Sequence, residues 1–324
     1  MTTRRRLLAT AAVAAAALAA CSGSPDTDDG APRTVRLAGV AVGDMAAVYV
    51  GQRQGYFAEA GLELDITLGS NSPAMIPALV NDEFDVQYGA SVNLLQAIDR
   101  GLPLVAVATG GRSTGVPGED HGGLLVAHDS TVRRPADLEG ATVAVNALGG
   151  LLEVCVHSAI AHDGGDPGGV DFVELPLPEM PAALESGQVD AIATAEPFLG
   201  IALGEGHRLV SSVYVDTVPD RMVTATYYVT EEKLAAEPET VEAFVRALER
   251  SFEYAQQHPG AVREELRNFT DIAPELIDQM VLTDFTWGLS SADLAVVAEA
   301  AADAGTLEDP EAATDQAARY VDGR

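Results

Sequence analysis

Short apolar runs alternate along this chain with segments of helical spacing. Residues 34–42 form a continuous strand-like run. Residues 45–60 carry apolar side chains at three- and four-residue intervals, and Gly61 is placed to close that helix. Residues 62–68 alternate as a strand, 73–80 read as a short helix, 84–88 as a strand, 92–100 as a helix stopped by Gly101, and 104–108 as a strand. Strands separated by helices predict parallel pairing in an α/β sheet. Ligands in such sheets sit beyond the carboxyl ends of the strands.

The segment 110–123 is glycine-rich and aperiodic, which suits a crossover. The alternation then resumes, with strands at 124–127, 141–145 and 170–175 and a helix at 151–162. Further strands are expected at 209–215 and 224–229. A helical tail follows, at 238–258, 274–286, 291–304 and 311–321. The pattern predicts one lobe inserted in another: 34–112 with 226–324 as the first, 113–225 as the second. Crossovers near 110–123 and 216–226 act as hinges beside a cleft.

The chain also repeats itself. Residues 78–105 align without a gap on 183–210, with nine of 28 positions identical. Each copy carries Ala-Leu, an aspartate at a strand (Asp85, Asp190), an alanine in the next loop (Ala90, Ala195) and a glycine after the next helix (Gly101, Gly206). A register held across helix, strand, loop and helix implies two similar lobes.

The N-terminal residues read as an address. Arg4, Arg5 and Arg6 precede an Ala/Leu/Val run that ends in Leu18-Ala19-Ala20-Cys21. The run is too short for a membrane span of about 20 residues plus flanks and reads as an export signal over 1–20. Its ending resembles a bacterial lipobox, which implies lipidation of Cys21; residues 3–8 also resemble a twin-arginine signal. Residues 21–33, rich in Ser, Gly, Pro and Asp, form a solvated tether. The expected location is the outer face of the cell membrane, with lipid as the only membrane contact.

Composition narrows the chemistry. At 47% hydrophobic and 21% charged, the chain buries real cores. Its formal charge is −30; loss of the three signal arginines makes it −33. That surface repels nucleic acid and anionic lipid. Lys233 is the sole lysine, which leaves little material for Schiff-base or phosphate-loop chemistry. The two cysteines form neither a metal cluster nor a disulfide framework, and Cys155 reads as buried core. No metal and no cofactor is expected.

Residues 47–62, AVYVGQRQGYFAEAGL, resemble the opening of ABC-importer substrate-binding proteins of the nitrate/sulfonate/taurine and thiamine-pyrimidine type. The Ala-Leu…Asp elements and the segment 238–259 are similar to that family as well. The resemblance implies a two-lobe, type II periplasmic-binding fold with hinge crossovers and a C-terminal helical tail. It implies capture of a small polar solute (a sulfonate, a nitrate-type anion or an aminopyrimidine-like compound) by lobe closure, and delivery by a monomer to a permease and ATPase. It implies a binder and not an enzyme. Two alternatives stay open: a pyridoxal-phosphate-dependent pyrimidine-synthase-like enzyme, which needs an active-site lysine, and a sensor without transport.

Candidate ligand contacts lie at strand ends and helix starts, where backbone N–H groups are free. Asp44 follows the first strand, either at the cleft or as an N-cap. Ser70, Asn71 and Ser72 precede Pro73, with Ser72 the expected cap. Gly89 and Ser91 flank the next turn; small residues there allow close approach. Glu196 stands in Glu196-Pro197-Phe198, where the resembled family often has an acidic-Pro-aromatic element, and is expected to accept from a ligand N–H. Asn146 opens a glycine-rich turn that could serve as an anion nest, though without the family's hydroxyl. Tyr227 and Tyr228 alternate, so one at most faces the cleft; Tyr227 is the candidate. Arg112 and His121, in the first crossover, could each contact an anion, but solvated or interlobe roles are expected.

Overall fold

The computed structural model describes residues 31–269 and 272–323. The signal, Cys21 and most of the tether lie outside them. Pro32 onward forms a compact unit of its own.

Among the described residues the strands are β1 Arg33–Val40, β2 Leu62–Gly69, β3 Val86–Ala90, β4 Leu104–Arg112, β5 Gly122–Val126, β6 Thr142–Val145, β7 Asp171–Glu174, β8 Ala191–Ala195, β9 Arg208–Ser211 and β10 Val223–Thr230. They make two five-stranded sheets, ordered β2-β1-β3-β10-β4 and β7-β6-β8-β5-β9. One order maps onto the other position by position, so β3 and β8, the strands of the internal repeat, are both central. The repeated aspartates do the same work in each copy. Asp85 exchanges backbone bonds with Arg36 of β1, its carboxylate accepting the Arg36 N–H at 2.8 Å. Asp190 does so with Thr142 of β6, also at 2.8 Å.

All-parallel sheets do not form. β1 pairs in parallel with β2 and β3, and β6 with β7 and β8. The crossover strands run the other way: β10 is antiparallel to β3 and β4, and β5 to β8 and β9. Each sheet thus takes in one strand arriving from the other half of the chain, entering from the cleft side. β10 starts at Val223, so the expected 225/226 boundary falls inside this strand.

In the first half the helices are α1 Ala46–Gln54, α2 Tyr56–Glu59, α3 Ile76–Val80 and α4 Ser91–Asp99; in the second, α5 Leu151–His162, α6 Met180–Glu185, α7 Phe198–Gly204 and α8 Val213–Thr217. The tail holds α9 Glu231–Ala236, α10 Pro238–Gln257, α11 Pro259–Phe269, α12 Pro274–Gln279, α13 Ser291–Asp303 and α14 Pro310–Ala318. The single helix expected over 45–60 is broken at Gly55, whose φ of 80° lets the chain turn between α1 and α2. The strand expected over 209–215 stops at Ser211 and gives way to α8. The helix expected over 274–286 ends at Gln279; beyond it the chain is extended, and Asp284 pairs with Arg112 of β4.

α10 begins at Pro238 and buries Val241, Phe244, Val245, Leu248 and Phe252, an i, i+3, i+4, i+7 stripe against α1 and the first sheet. A second core runs from the second sheet through α13 and α14 to α4 and β4. α13 starts with a capping box, in which Ser290 Oγ accepts from the Asp293 N–H and the Asp293 carboxylate accepts from the Ser290 N–H.

Candidate functional site

A cleft of about 600 Å³, its mouth included, lies where the two sheets face each other. From the first sheet it takes Val40 at the end of β1 with Val42 and Asp44 just after it, Ser72 after β2, and Tyr88, Gly89 and Ala90 at the end of β3; Asn93 comes from α4. The second sheet supplies Asn146 after β6, Leu151 and Leu152 of α5, Leu177 after β7, and Ala195 at the end of β8. These are carboxyl strand ends. The antiparallel strands add their amino ends: Thr224 and Ala225 of β10, and His121 just before β5. Tyr214 of α8 completes the wall.

Asp44 is buried in a 3-10 turn, Gly43–Met45. Its Oδ2 accepts from Tyr88 Oη at 3.1 Å and from Thr224 Oγ1 at 3.5 Å. His121 Nε2 lies 3.8 Å from Oδ1. A Cβ on Gly111 would come 2.5 Å from Oδ2, so only glycine in β4 leaves room for this carboxylate. Burial pushes the Asp44 carboxyl up, against the attraction of His121. Burial, then Asp44, drives the Tyr88 phenol well above its ordinary range, so Tyr88 stays a donor. On His121 burial acts downward, but Asp44, Asp120 and Glu196 outweigh it, and the imidazole is raised. Asp120 Oδ1 lies 3.2 Å from His121 Nδ1 and also accepts the backbone N–H groups of Thr114 and His121.

The other expected contacts separate. Ser72 faces the cleft and donates to Asn93 Oδ1 at 3.0 Å, while its carbonyl accepts from Gln87. The cap of that turn is Asn71, whose Oδ1 accepts the Ala74 N–H; Asn71 is spent locally and Ser70 is exposed, both outside the cleft lining. Gly89 lines the floor: a Cβ there would meet Ser72 Cβ and Tyr228 Oη at 2.7 Å. Ser91 is fully buried behind it, at the start of α4. Asn146 lines the cleft, but the N–H groups of Leu148 and Gly149 are taken by the Glu174 and Glu153 carboxylates, so acidic side chains already fill that anion nest.

Glu196 does not line the cleft. Its carboxylate accepts from the Gly200 N–H at 2.9 Å and the Val281 N–H at 3.1 Å, and its backbone bonds to His121 and Gly43. It ties the second sheet to the turn after β1 and to the tail. Burial raises its carboxyl, against the two N–H donors. Tyr227 also lies outside the cleft. Its ring packs on Tyr88, Phe244 and Phe252, and its hydroxyl reaches only Met45 Sδ, at 3.8 Å. It stands mid-strand in β10, on the face packed by α1 and α10, in the core of the first lobe. Arg112 is engaged by Asp293 at 2.8 Å and the Gly288 carbonyl at 2.7 Å.

Neither Lys nor Arg appears among the described residues lining the cleft. Lys233 bonds Asp85 at 2.7 Å, at the strand end opposite Gly89 and Ala90. Its ion pairs with Asp82, Asp85 and Glu237 leave it committed there. Cys155 is buried in α5, its thiol pushed up to about 12 by burial. Among the described residues no set of His, Cys, Asp or Glu is arranged to hold a metal, and no helix is long and apolar enough to cross a membrane.

A sequence model of the family described as NMT1/THI5 like matches residues 43–262. A protein of Haemophilus influenzae named for thiamine biosynthesis is 29% identical over 226 residues, 67% of this chain and 67% of its own. The formylaminopyrimidine-binding protein of Halalkalibacterium halodurans is 27% identical over 251 residues, 75% of this chain and 72% of its own. Among solved structures, the periplasmic nitrate-binding protein NrtA of Synechocystis superposes with a TM-score of 0.77 at 14% identity, covering 89% of this chain and 86% of the other. That likeness assigns the fold of periplasmic solute-binding proteins.

Proposed function

The chain belongs to the NMT1/THI5-like family, and we propose that it is the solute receptor of an ABC importer, closing its two lobes on an aminopyrimidine-like nitrogen heterocycle. The observation that carries this reading is the charge of the cleft. Its carboxylate, Asp44, is buried, and the described lining brings no lysine or arginine to balance a bound anion. A nitrate or sulfonate placed beside Asp44 would face a like charge in a low-dielectric site, and the one cationic group the described lining can offer, His121, already lies 3.8 Å from that carboxylate. A ring amine offers Asp44 an N–H donor at hydrogen-bonding distance, which His121 Nε2, 3.8 Å away, does not. Val42, Leu151, Leu152 and Leu177 supply flat apolar walls, and Asn93, Asn146 and Ser72 supply polar contacts along the edge of a ring. The curated relative named for formylaminopyrimidine fits this chemistry.

Anchoring through a lipidated Cys21, export over residues 1–20, the partner permease and ATPase, and a monomeric state complete the proposal. A Cys21→Ala chain should lose membrane retention on cell fractionation. The enzyme alternative needs a lysine at the cleft, and Lys233 is held by Asp85 at the far end of β3. A sensor would show the same capture chemistry but no uptake.

The test is a thermal-shift and calorimetry panel of 4-amino-2-methylpyrimidine, its formylamino derivatives, taurine, an alkanesulfonate and nitrate. At 100-fold excess over its Kd a ligand adds about 2.7 kcal/mol to stability. Shifts confined to amino-bearing heterocycles support the reading. A shift with nitrate or sulfonate alone overturns it.

A further inference from the structure

Among the described residues that line the cleft, His121 carries a fully buried polar atom with no hydrogen-bond partner. The side chain is 3% exposed, and Nε2 makes no hydrogen bond. The ring is fixed on its other side by Asp120 at 3.2 Å and packs against Tyr214, centroids 5.1 Å apart. His121 lines the cleft with Nε2 beside Asp44 Oδ1, 3.8 Å away, too far for a good hydrogen bond but close enough for both atoms to touch one small group.

We propose that Asp44 and His121 together form a double acceptor for a single amino group of the solute, and that solute binding expels a proton from His121 into solvent. The proposal rests on the solute class proposed above and adds a residue and a proton to it.

The geometry permits one nitrogen to serve both. A nitrogen about 2.9 Å from each acceptor sees atoms 3.8 Å apart at roughly 80°, against about 120° between its two N–H bonds. Each hydrogen bond is then bent by about 20°, within the favourable range. The groups that face His121 are Asp44 from the turn after β1, Asp120 from the crossover, Glu196 from the loop after β8, Tyr88 from β3 and Tyr214 from α8. Three are carboxylates and both phenols are buried and neutral, so the empty cleft favours the imidazolium, with Nε2–H directed at Asp44. That Nε2–H occupies the volume where a solute N–H must go. On binding, the Nε2–H bond breaks and its proton passes to water. The ring keeps Nδ1–H, oriented by Asp120. The freed Nε2 lone pair accepts one solute N–H and Asp44 accepts the other.

The test is isothermal titration calorimetry of 4-amino-2-methylpyrimidine into the full chain and its His121→Asn variant, each in two buffers of different ionisation heat, from pH 5.5 to 8. Subtracting the variant removes protons taken up by the pyrimidine itself. The expected result is close to one more proton released by the wild type at low pH, with its affinity, relative to the variant, rising by up to about tenfold per pH unit. NMR of the wild-type imidazole gives the same answer without a variant: His121 should become neutral on saturation. Equal proton counts in the two chains, or an imidazolium that persists in the complex, overturn the double acceptor while leaving the solute class intact. No binding of the pyrimidine by wild type overturns the solute class, and this proposal with it.

Discussion

Asp44→Asn should separate stability from binding in opposite directions. The carboxyl is raised, burial being the main cause. A group whose folded pKa lies above its unfolded value stabilises the protein below the unfolded value, near 3.9, and loses that contribution as pH rises through the folded one. At neutral pH Asp44 therefore costs stability, and an isosteric amide removes the cost. Its Oδ1 can still accept from Tyr88 or Thr224. The gain should be larger at pH 8 than at pH 6, where His121⁺ partly neutralises the carboxylate. The solute loses a charge-assisted hydrogen bond in a dry site, worth about 1.5–3 kcal/mol, or roughly 10- to 150-fold in Kd. Thermal melts of the empty protein at both pH values and calorimetry with 4-amino-2-methylpyrimidine read the two effects. A variant that melts lower than wild type at pH 8, or binds equally well, would refute the argument that a costly buried charge is kept for the solute.

Four further outcomes follow from the same geometry. Asp85→Asn should lower stability by about 2–3 kcal/mol in urea titrations, because Arg36 and Lys233 lose a shared, largely buried carboxylate, whereas Asp190→Asn at the matching position should cost under about 1 kcal/mol. Asp85 is held well below the usual carboxylate range: burial opposes this, and Arg36 and Lys233 outweigh it. Its contribution is thus present above about pH 4 and fades as pH falls, so the gap between wild type and Asp85→Asn should narrow in acid. Gly89→Ala, whose Cβ would overlap Ser72 and Tyr228, should cost about 1–3 kcal/mol and weaken solute binding; an unchanged melt and Kd would show that the floor yields. Tyr227→Phe should leave Kd within about twofold, since its hydroxyl reaches only Met45 in the core. Cys155 should resist iodoacetamide at pH 8 until the protein is unfolded, its thiol being buried and pushed up to about 12.

The alternation of apolar runs with helical segments set the α/β class, and the repeat of 78–105 in 183–210 announced two lobes built alike. The repeat could be read because the same local problem, tying a central strand to its neighbour, was solved twice with an aspartate. Asp44, Ser72, Gly89 and Asn146 were legible as cleft residues because each stands at or just past the carboxyl end of a strand. His121, Thr224 and Tyr214 were not. His121 and Thr224 reach the cleft because β5 and β10 run antiparallel, and strand direction depends on which lobe the chain has just left, a long-range property that no local pattern carries; Tyr214 comes from α8, a helix that replaces the end of the strand expected over 209–215. Tyr227 joins the core because alternation along β10 puts its side chain on the face packed by α1 and α10, a choice of face that the sequence pattern left open. Glu196 sits at the expected strand end, yet its carboxylate is taken by backbone donors of Gly200 and Val281, the latter 85 residues away. Sequence determined which elements form and where their ends lie, since those follow from periodicity and turn chemistry over a few residues. Only the tertiary structure decided which ends meet, and so set a buried carboxylate beside an imidazole whose Nε2 has no hydrogen-bond partner, 3.8 Å apart in the cleft wall.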